Sequence, residues 1–170
     1  MLAMPTVWLA LAYWVHLLAT LVWVGGLALM ALVVWPAART ALGPGAPLAA
    51  LWREWQRRFN PLAWLSLAAL IATGLYQMAA SPHYNGFLKI DNAWAIAILL
   101  KHVAVGGMML IGAYMQWGLQ PALARLALLE AKGRPAPELA ALQRREQMAL
   151  RLNLICGVLV LALTALARSA

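Results

Sequence analysis

The segment Val7–Trp35, VWLALAYWVHLLATLVWVGGLALMALVVW, decides the fold of this 170-residue chain. It contains no Asp, Glu, Lys or Arg. About 20 apolar residues are enough for a helix to cross the hydrocarbon core of a bilayer. The segment therefore predicts a transmembrane helix.

The rest of the composition agrees with a membrane location. The chain is 65% hydrophobic and only 11% charged, whereas soluble domains carry about 25% charged residues. A soluble fold of this size could not build a polar surface from so few charges. The single cysteine, Cys156, excludes a disulfide scaffold, and the hydrophobicity excludes a disordered chain. An integral membrane protein remains.

Three further apolar stretches follow, and proline residues lie near the predicted ends of the spans. We expect Pro36 to close the first span, Pro61 to open the second and Pro121 to close the third. The pattern predicts an all-α integral membrane protein, a four-transmembrane-helix up-down bundle that forms one domain over residues 1–170. The later spans are predicted at Pro61–Ala80, Ala93–Gln120 and Leu152–Ala167, with connections at Pro36–Asn60, Ser81–Asn92 and Pro121–Arg151.

The orientation is predicted from the basic residues, which give the chain a net charge of +8. Lys and Arg accumulate in cytoplasmic loops of membrane proteins, so this charge indicates topology and not a nucleic-acid partner. The first and third connections hold 4 and 6 basic residues, whereas the second holds 1. We therefore expect a multi-pass protein of the bacterial cytoplasmic membrane with both termini outside.

Two segments of the basic connections are expected to be helical. Leu48–Phe59 could form a short amphipathic helix on the inner surface, with its tryptophans at headgroup level. Pro137–Gln147 is expected to extend the fourth helix into the cytoplasm.

Ionisable side chains inside a membrane are costly and mark functional sites by default. His16 lies in the first span, and Lys101 and His102 lie in the third. Each histidine follows a tryptophan, Trp8 or Trp94, by eight residues. Because tryptophan prefers the membrane interface, both imidazoles are expected about 12 Å below the outer surface.

The first and third helices of an up-down bundle are diagonal neighbours, so a macrocycle between them could take one axial ligand from each. Bis-histidine haem b, held by His16 and His102, is the simplest occupant of that geometry. Gly106 would leave room for the flat ring, and Lys101 could pair with a propionate. His83, in the outer loop, is a candidate accessory metal ligand. Copper is the alternative cofactor, because thioethers such as those of Met78, Met108, Met109 and Met115 suit Cu(I).

Three segments carry a family resemblance. The stretch His16–Met30, HLLATLVWVGGLALM, resembles the start of the CopD-like membrane domain, where a histidine is followed by a tryptophan and a glycine pair. The third-span stretch LLKHVAVGGMMLIGAYMQW and the fourth-span stretch RLNLICGVLVLAL are similar to the same family. The resemblance implies a four-helix unit and copper handling. A distant relative, the HemJ-type protoporphyrinogen oxidase, is similar in having a first-span histidine and a third-span lysine, matched here by His16 and Lys101.

Three functions stay open on the sequence. The first is a haem-b protein for electron transfer or membrane oxidoreductase chemistry at the outer side, with a quinone or a periplasmic redox partner. The second is a CopD-like protein that moves or delivers Cu(I). The third is a structural subunit of a larger membrane complex, whose histidines only pack. As a partner, the sequence leaves open a homo-oligomer or a larger membrane complex. The lipid bilayer is a partner in all three.

Overall fold

A computed structural model describes residues 6–86 and 89–169 of the chain. Residues 1–5 and 170 lie outside the described residues, so it says nothing of the termini themselves. The described part is helical and contains no β-strand. Four helices are long and apolar enough to cross a membrane: α1 (Thr6–Leu42), α2 (Ala46–Ala79), α3 (Ala93–Ala131) and α4 (Leu139–Ser169). The predicted fold class is confirmed.

The helices form a square in which each packs mainly against two others. The principal pairs are α1 with α2, α3 with α4, α1 with α4, and the C-terminal part of α3 with α2. The first and third helices are therefore diagonal, as the short connections predict. The first and third connections, residues 43–45 and 132–138, are short and lie at the same end as most of the basic residues. We call this the basic end.

The predictions that Pro36 and Pro121 close their spans are wrong. Helix α1 continues through Pro36 to Leu42, and α3 continues through Pro121 to Ala131. Just before each proline the helix widens into a π-helical turn, Met30–Val34 or Tyr114–Leu119.

These wide turns explain why the prolines are tolerated. A proline in a regular α-helix lacks a donor and its ring meets the carbonyl four residues earlier. Trp35 and Gln120, the residues before the two prolines, instead donate to the carbonyls five residues back, Met30 and Met115. The backbone hydrogen-bond register has therefore already shifted by one residue before the proline, and the helix continues beyond it. Helix α1 ends at Leu42, and Gly43 follows with a φ of 68°. This is the left-handed backbone conformation that glycine adopts with little strain.

The second helix also differs from its prediction. Pro61 does not open α2 but lies inside it, and the predicted surface helix Leu48–Phe59 is the first part of the same continuous helix. The fourth helix does extend beyond its predicted span, because α4 runs without a break from Leu139 to Ser169, although Pro137 and Glu138 precede it. The cytoplasmic location of this extension stays a prediction.

Several contacts between α1, α2 and α4 meet at the basic end. Trp35 of α1 and Trp52 of α2 meet edge to face, with ring centroids 4.9 Å apart. Gln143 of α4 accepts a hydrogen bond from the Gly45 amide at 3.2 Å and donates one to the Gly45 carbonyl at 2.9 Å. Arg39 donates to Gln147 at 3.0 Å. Side chains of α4 thus hold the turn between α1 and α2 in place.

Candidate functional site

His16 faces the second helix and is held in one orientation there. Its Nδ1 lies 2.8 Å from the Thr73 hydroxyl oxygen. The same hydroxyl donates to the Ala69 carbonyl at 2.5 Å, which uses its only hydrogen. The His16 Nδ1 must then be the donor, so its Nε2 keeps a free lone pair. A ring nitrogen fixed in this way is the usual arrangement of a metal-binding histidine.

His102 does not share this environment. Its side chain is exposed on the outside of the bundle, and its Nδ1 lies 2.7 Å from the Ile98 carbonyl of its own helix. Consecutive helical residues differ by about 100°, so only one of Lys101 and His102 can turn inward. Lys101 is the half-buried one. The structure thus turns Lys101 rather than His102 toward the inside of the bundle, and bis-histidine ligation stays a prediction.

The other predicted site residues lie apart from His16. His83 is exposed in the loop between α2 and α3, with its ring 6.2 Å from that of Trp94. Gly106 borders open space, since a Cβ added there would meet no atom within 4 Å. Among residues 6–86 and 89–169, no three His, Cys, Asp or Glu side chains gather where they could hold a metal ion.

A large cavity lies elsewhere, between His16 and the basic end. It has an empty volume of about 750 Å³, including its open mouth, and all four helices line it. Aromatic side chains form much of its wall, including Trp23, Trp52 and Phe59. We call it the methionine pocket, because thioethers of α1 and α3 line it as well. These belong to Met30, Met108, Met109 and Met115.

Three of these methionines are interior residues. Met30, Met108 and Met115 are exposed by only 3%, 1% and 7%. Met30 and Met115 belong to the π-helical turns that precede the two prolines. Such turns are frequent at functional sites because they rotate a side chain out of the regular helical register. Of these three, the sequence had singled out Met108 and Met115 as thioether candidates, and Met30 was missed.

Amide side chains add polar groups to this apolar pocket. Asn153 of α4 is 3% exposed, and its Oδ1 has no hydrogen-bond partner. A buried carbonyl oxygen without a partner costs about 1–3 kcal/mol, so a bound water or a ligand is expected to complete its hydrogen bonding. At the mouth, Trp64 of α2 donates to Gln116 of α3 at 3.2 Å. The pocket therefore offers soft sulfur donors and one unused oxygen acceptor.

Sequence reasoning also missed a buried carboxyl at the basic end. Glu146 of α4 is 1% exposed and accepts a hydrogen bond from the Trp52 indole. Gln56 approaches the same oxygen at 3.5 Å. The prediction placed this residue in a solvated helical extension, whereas α2 covers it. A helical period could have suggested it, because Leu139, Gln143, Glu146, Leu150 and Asn153 repeat at intervals of three or four on one face.

Comparison with known proteins supports the family resemblance. The family model for copper resistance protein D, CopD, matches residues 53–167. The match begins after the first helix, so the histidine–tryptophan–glycine motif of α1 lies outside it. No curated protein and no solved structure gives a significant match. With a family model that covers most of its length and with four helices able to span a membrane, this chain belongs to the CopD family.

Proposed function

We propose that this protein handles monovalent copper inside the membrane and that the methionine pocket is its principal binding site. The observation that carries the proposal is that three buried methionine residues line one cavity in a CopD-family chain. Thioether sulfur is a soft ligand that favours Cu(I). Copper is then the cargo that the protein moves or delivers.

His16 fits this function as a second, separate copper-binding site. Its free Nε2 is a nitrogen donor suited to copper, and Thr73 keeps the ring oriented. Because His16 is seven residues before Trp23 on α1, it lies about 10 Å further from the basic end than the wall of the methionine pocket. The two places could bind copper in sequence along the bundle.

The haem interpretation is not favoured by these observations. The family match points to copper, and His102 is exposed at the surface of the bundle. Nothing among the described residues supports iron binding or electron transport.

The test is Cu(I) binding to the purified protein in detergent. Copper is kept reduced with ascorbate and titrated against a chromogenic Cu(I) chelator. Replacing Met108 or Met115 with leucine keeps the volume nearly constant but removes a sulfur. We expect each change to weaken Cu(I) affinity by tenfold or more, which corresponds to about 1.4 kcal/mol. Met148→Leu is the matched control, because Met148 is 66% exposed.

Two results would overturn the proposal. One is a wild type that cannot compete with the chelator, and the other is equal affinity in all three leucine variants. The visible spectrum of the same preparation tests the haem interpretation, since a low-spin haem spectrum would support it in place of copper.

A further inference from the structure

A second cavity lies at the basic end, between α2, α3 and α4. It has an empty volume of about 310 Å³, including its open mouth. Arg53 and Glu146 line it, and so do the amides of Gln56 and Gln120. No histidine, cysteine or methionine of the described residues belongs to its wall, so it does not offer ligands for a soft cation. We call it the arginine pocket.

Arg53 brings a positive charge to this pocket. The adjacent acid, Glu54, pairs instead with Arg57 at 2.9 Å and with Arg58 at 2.7 Å. In the part of the chain that the structure describes, no carboxylate forms an ion pair with Arg53. Its planar guanidinium therefore keeps its N–H donors in the fork that matches the oxygens of a phosphate group.

Glu146 adds no opposing charge to the arginine pocket. Its side chain is 1% exposed, and none of the described Lys or Arg side chains pairs with it. Burial of a carboxyl without a cation favours the neutral acid. Its Oε1 accepts the hydrogen bond of the Trp52 indole, so the acid proton belongs on Oε2. The group can then donate a hydrogen bond to an anion and does not repel it.

The arginine pocket lies at the depth of the lipid headgroups. The basic residues that border the apolar stretches at this end are Arg58 on α2, Arg125 on α3 and Arg151 on α4. Arg53 and Glu146 each lie five residues beyond the border residue of their own helix, which is about 7–8 Å of helix rise. The headgroup layer on each side of the hydrocarbon core is about 5–8 Å thick. Both polar groups of the pocket therefore reach the layer that contains lipid phosphates.

We propose that the arginine pocket binds the phosphate group of an anionic phospholipid, with Arg53 as its principal ligand. Basic pockets between transmembrane helices are places where anionic headgroups bind. Ala49, Leu123 and Ala124 give this pocket apolar walls, against which the glycerol part of a lipid can pack. The proposal goes beyond copper handling and does not depend on it, because the lipid would contact none of the methionines.

The experiment is native mass spectrometry of the whole protein, released from neutral detergent micelles after titration with phosphatidylglycerol. We expect one tightly bound lipid per chain, and at least tenfold weaker binding of phosphatidylcholine, whose choline offsets the phosphate charge. Arg53→Gln should weaken the binding of phosphatidylglycerol tenfold or more. Arg58→Gln is the matched control, because it removes the same charge from an exposed side chain of the same helix and should stay within twofold of wild type.

A third variant tests the cavity itself. Ala124→Phe fills the arginine pocket without changing any charge, and it should also weaken the binding of phosphatidylglycerol tenfold or more. If this variant fails to fold, the comparison of Arg53→Gln with Arg58→Gln still decides, because both side chains are exposed. Equal losses in those two variants would overturn the proposal and indicate diffuse attraction to the basic end. Binding of inorganic phosphate that depends on Arg53, without binding of phosphatidylglycerol, would also overturn it in favour of a free anion.

Discussion

Gly26 offers a direct test of the packing between α1 and α2. A Cβ built on Gly26 would lie 2.3 Å from Cε2 and 2.5 Å from Cζ of Phe59. Carbon atoms pack at about 3.5–4.0 Å, so alanine overlaps the ring by about 1 Å or more. A Cβ on the adjacent Gly25 meets only Leu21, at an ordinary 3.6 Å. Gly25→Ala is therefore a matched control.

The magnitudes follow from two opposing effects. Alanine in place of a helical glycine stabilises by about 0.5–1 kcal/mol. Overpacking costs about 1–3 kcal/mol and applies only at Gly26. We expect Gly25→Ala to raise the free energy of unfolding, and Gly26→Ala to be about 1–3 kcal/mol less stable than Gly25→Ala.

The assay is reversible unfolding in mixed micelles, followed by tryptophan fluorescence. A double-mutant cycle with Phe59→Leu isolates the contact, since the smaller side chain should relieve the clash of Gly26→Ala and give a coupling of about 1 kcal/mol or more. Phe59 also lines the methionine pocket, so a displaced ring should weaken Cu(I) binding in Gly26→Ala alone. Equal stability of the two alanine variants, or no coupling with Phe59→Leu, would refute this account of the glycine pair.

Two further predictions concern the histidine and the topology. Thr73→Val removes the acceptor of the His16 Nδ1–H, so the ¹⁵N chemical shifts of the imidazole should show a mixture of tautomers in place of one. Thr73→Ser keeps the hydroxyl and should keep the wild-type spectrum. A single unchanged tautomer in the valine variant would show that Thr73 does not orient the ring. In a Cys156→Ser background, a membrane-impermeant thiol reagent added from outside should label Ser81→Cys but not Arg58→Cys, because the basic end is expected to be cytoplasmic. The reverse labelling pattern would invert the orientation.

The relation between sequence and site is clearest at Lys101 and His102. Their depth follows from the distance to Trp94 along one helix, which is a local property. The sequence does not say which side of α3 faces the other helices, because this stretch is apolar on every side. Packing of α3 against α4 decides how α3 is rotated. This packing turns Lys101 inward and leaves His102 exposed.

The sequence by itself determined the number of helices, their membrane location and the family. These depend on the length of uncharged runs relative to bilayer thickness and on local motifs, so neighbouring residues are enough to predict them. Only the tertiary structure decided that Met30 joins Met108 at one cavity, and that Glu146 is covered by Trp52. Those residues are far apart in the chain. π-Helical turns and helix rotation set where such side chains meet, and both respond to packing between helices that no single segment of the sequence encodes.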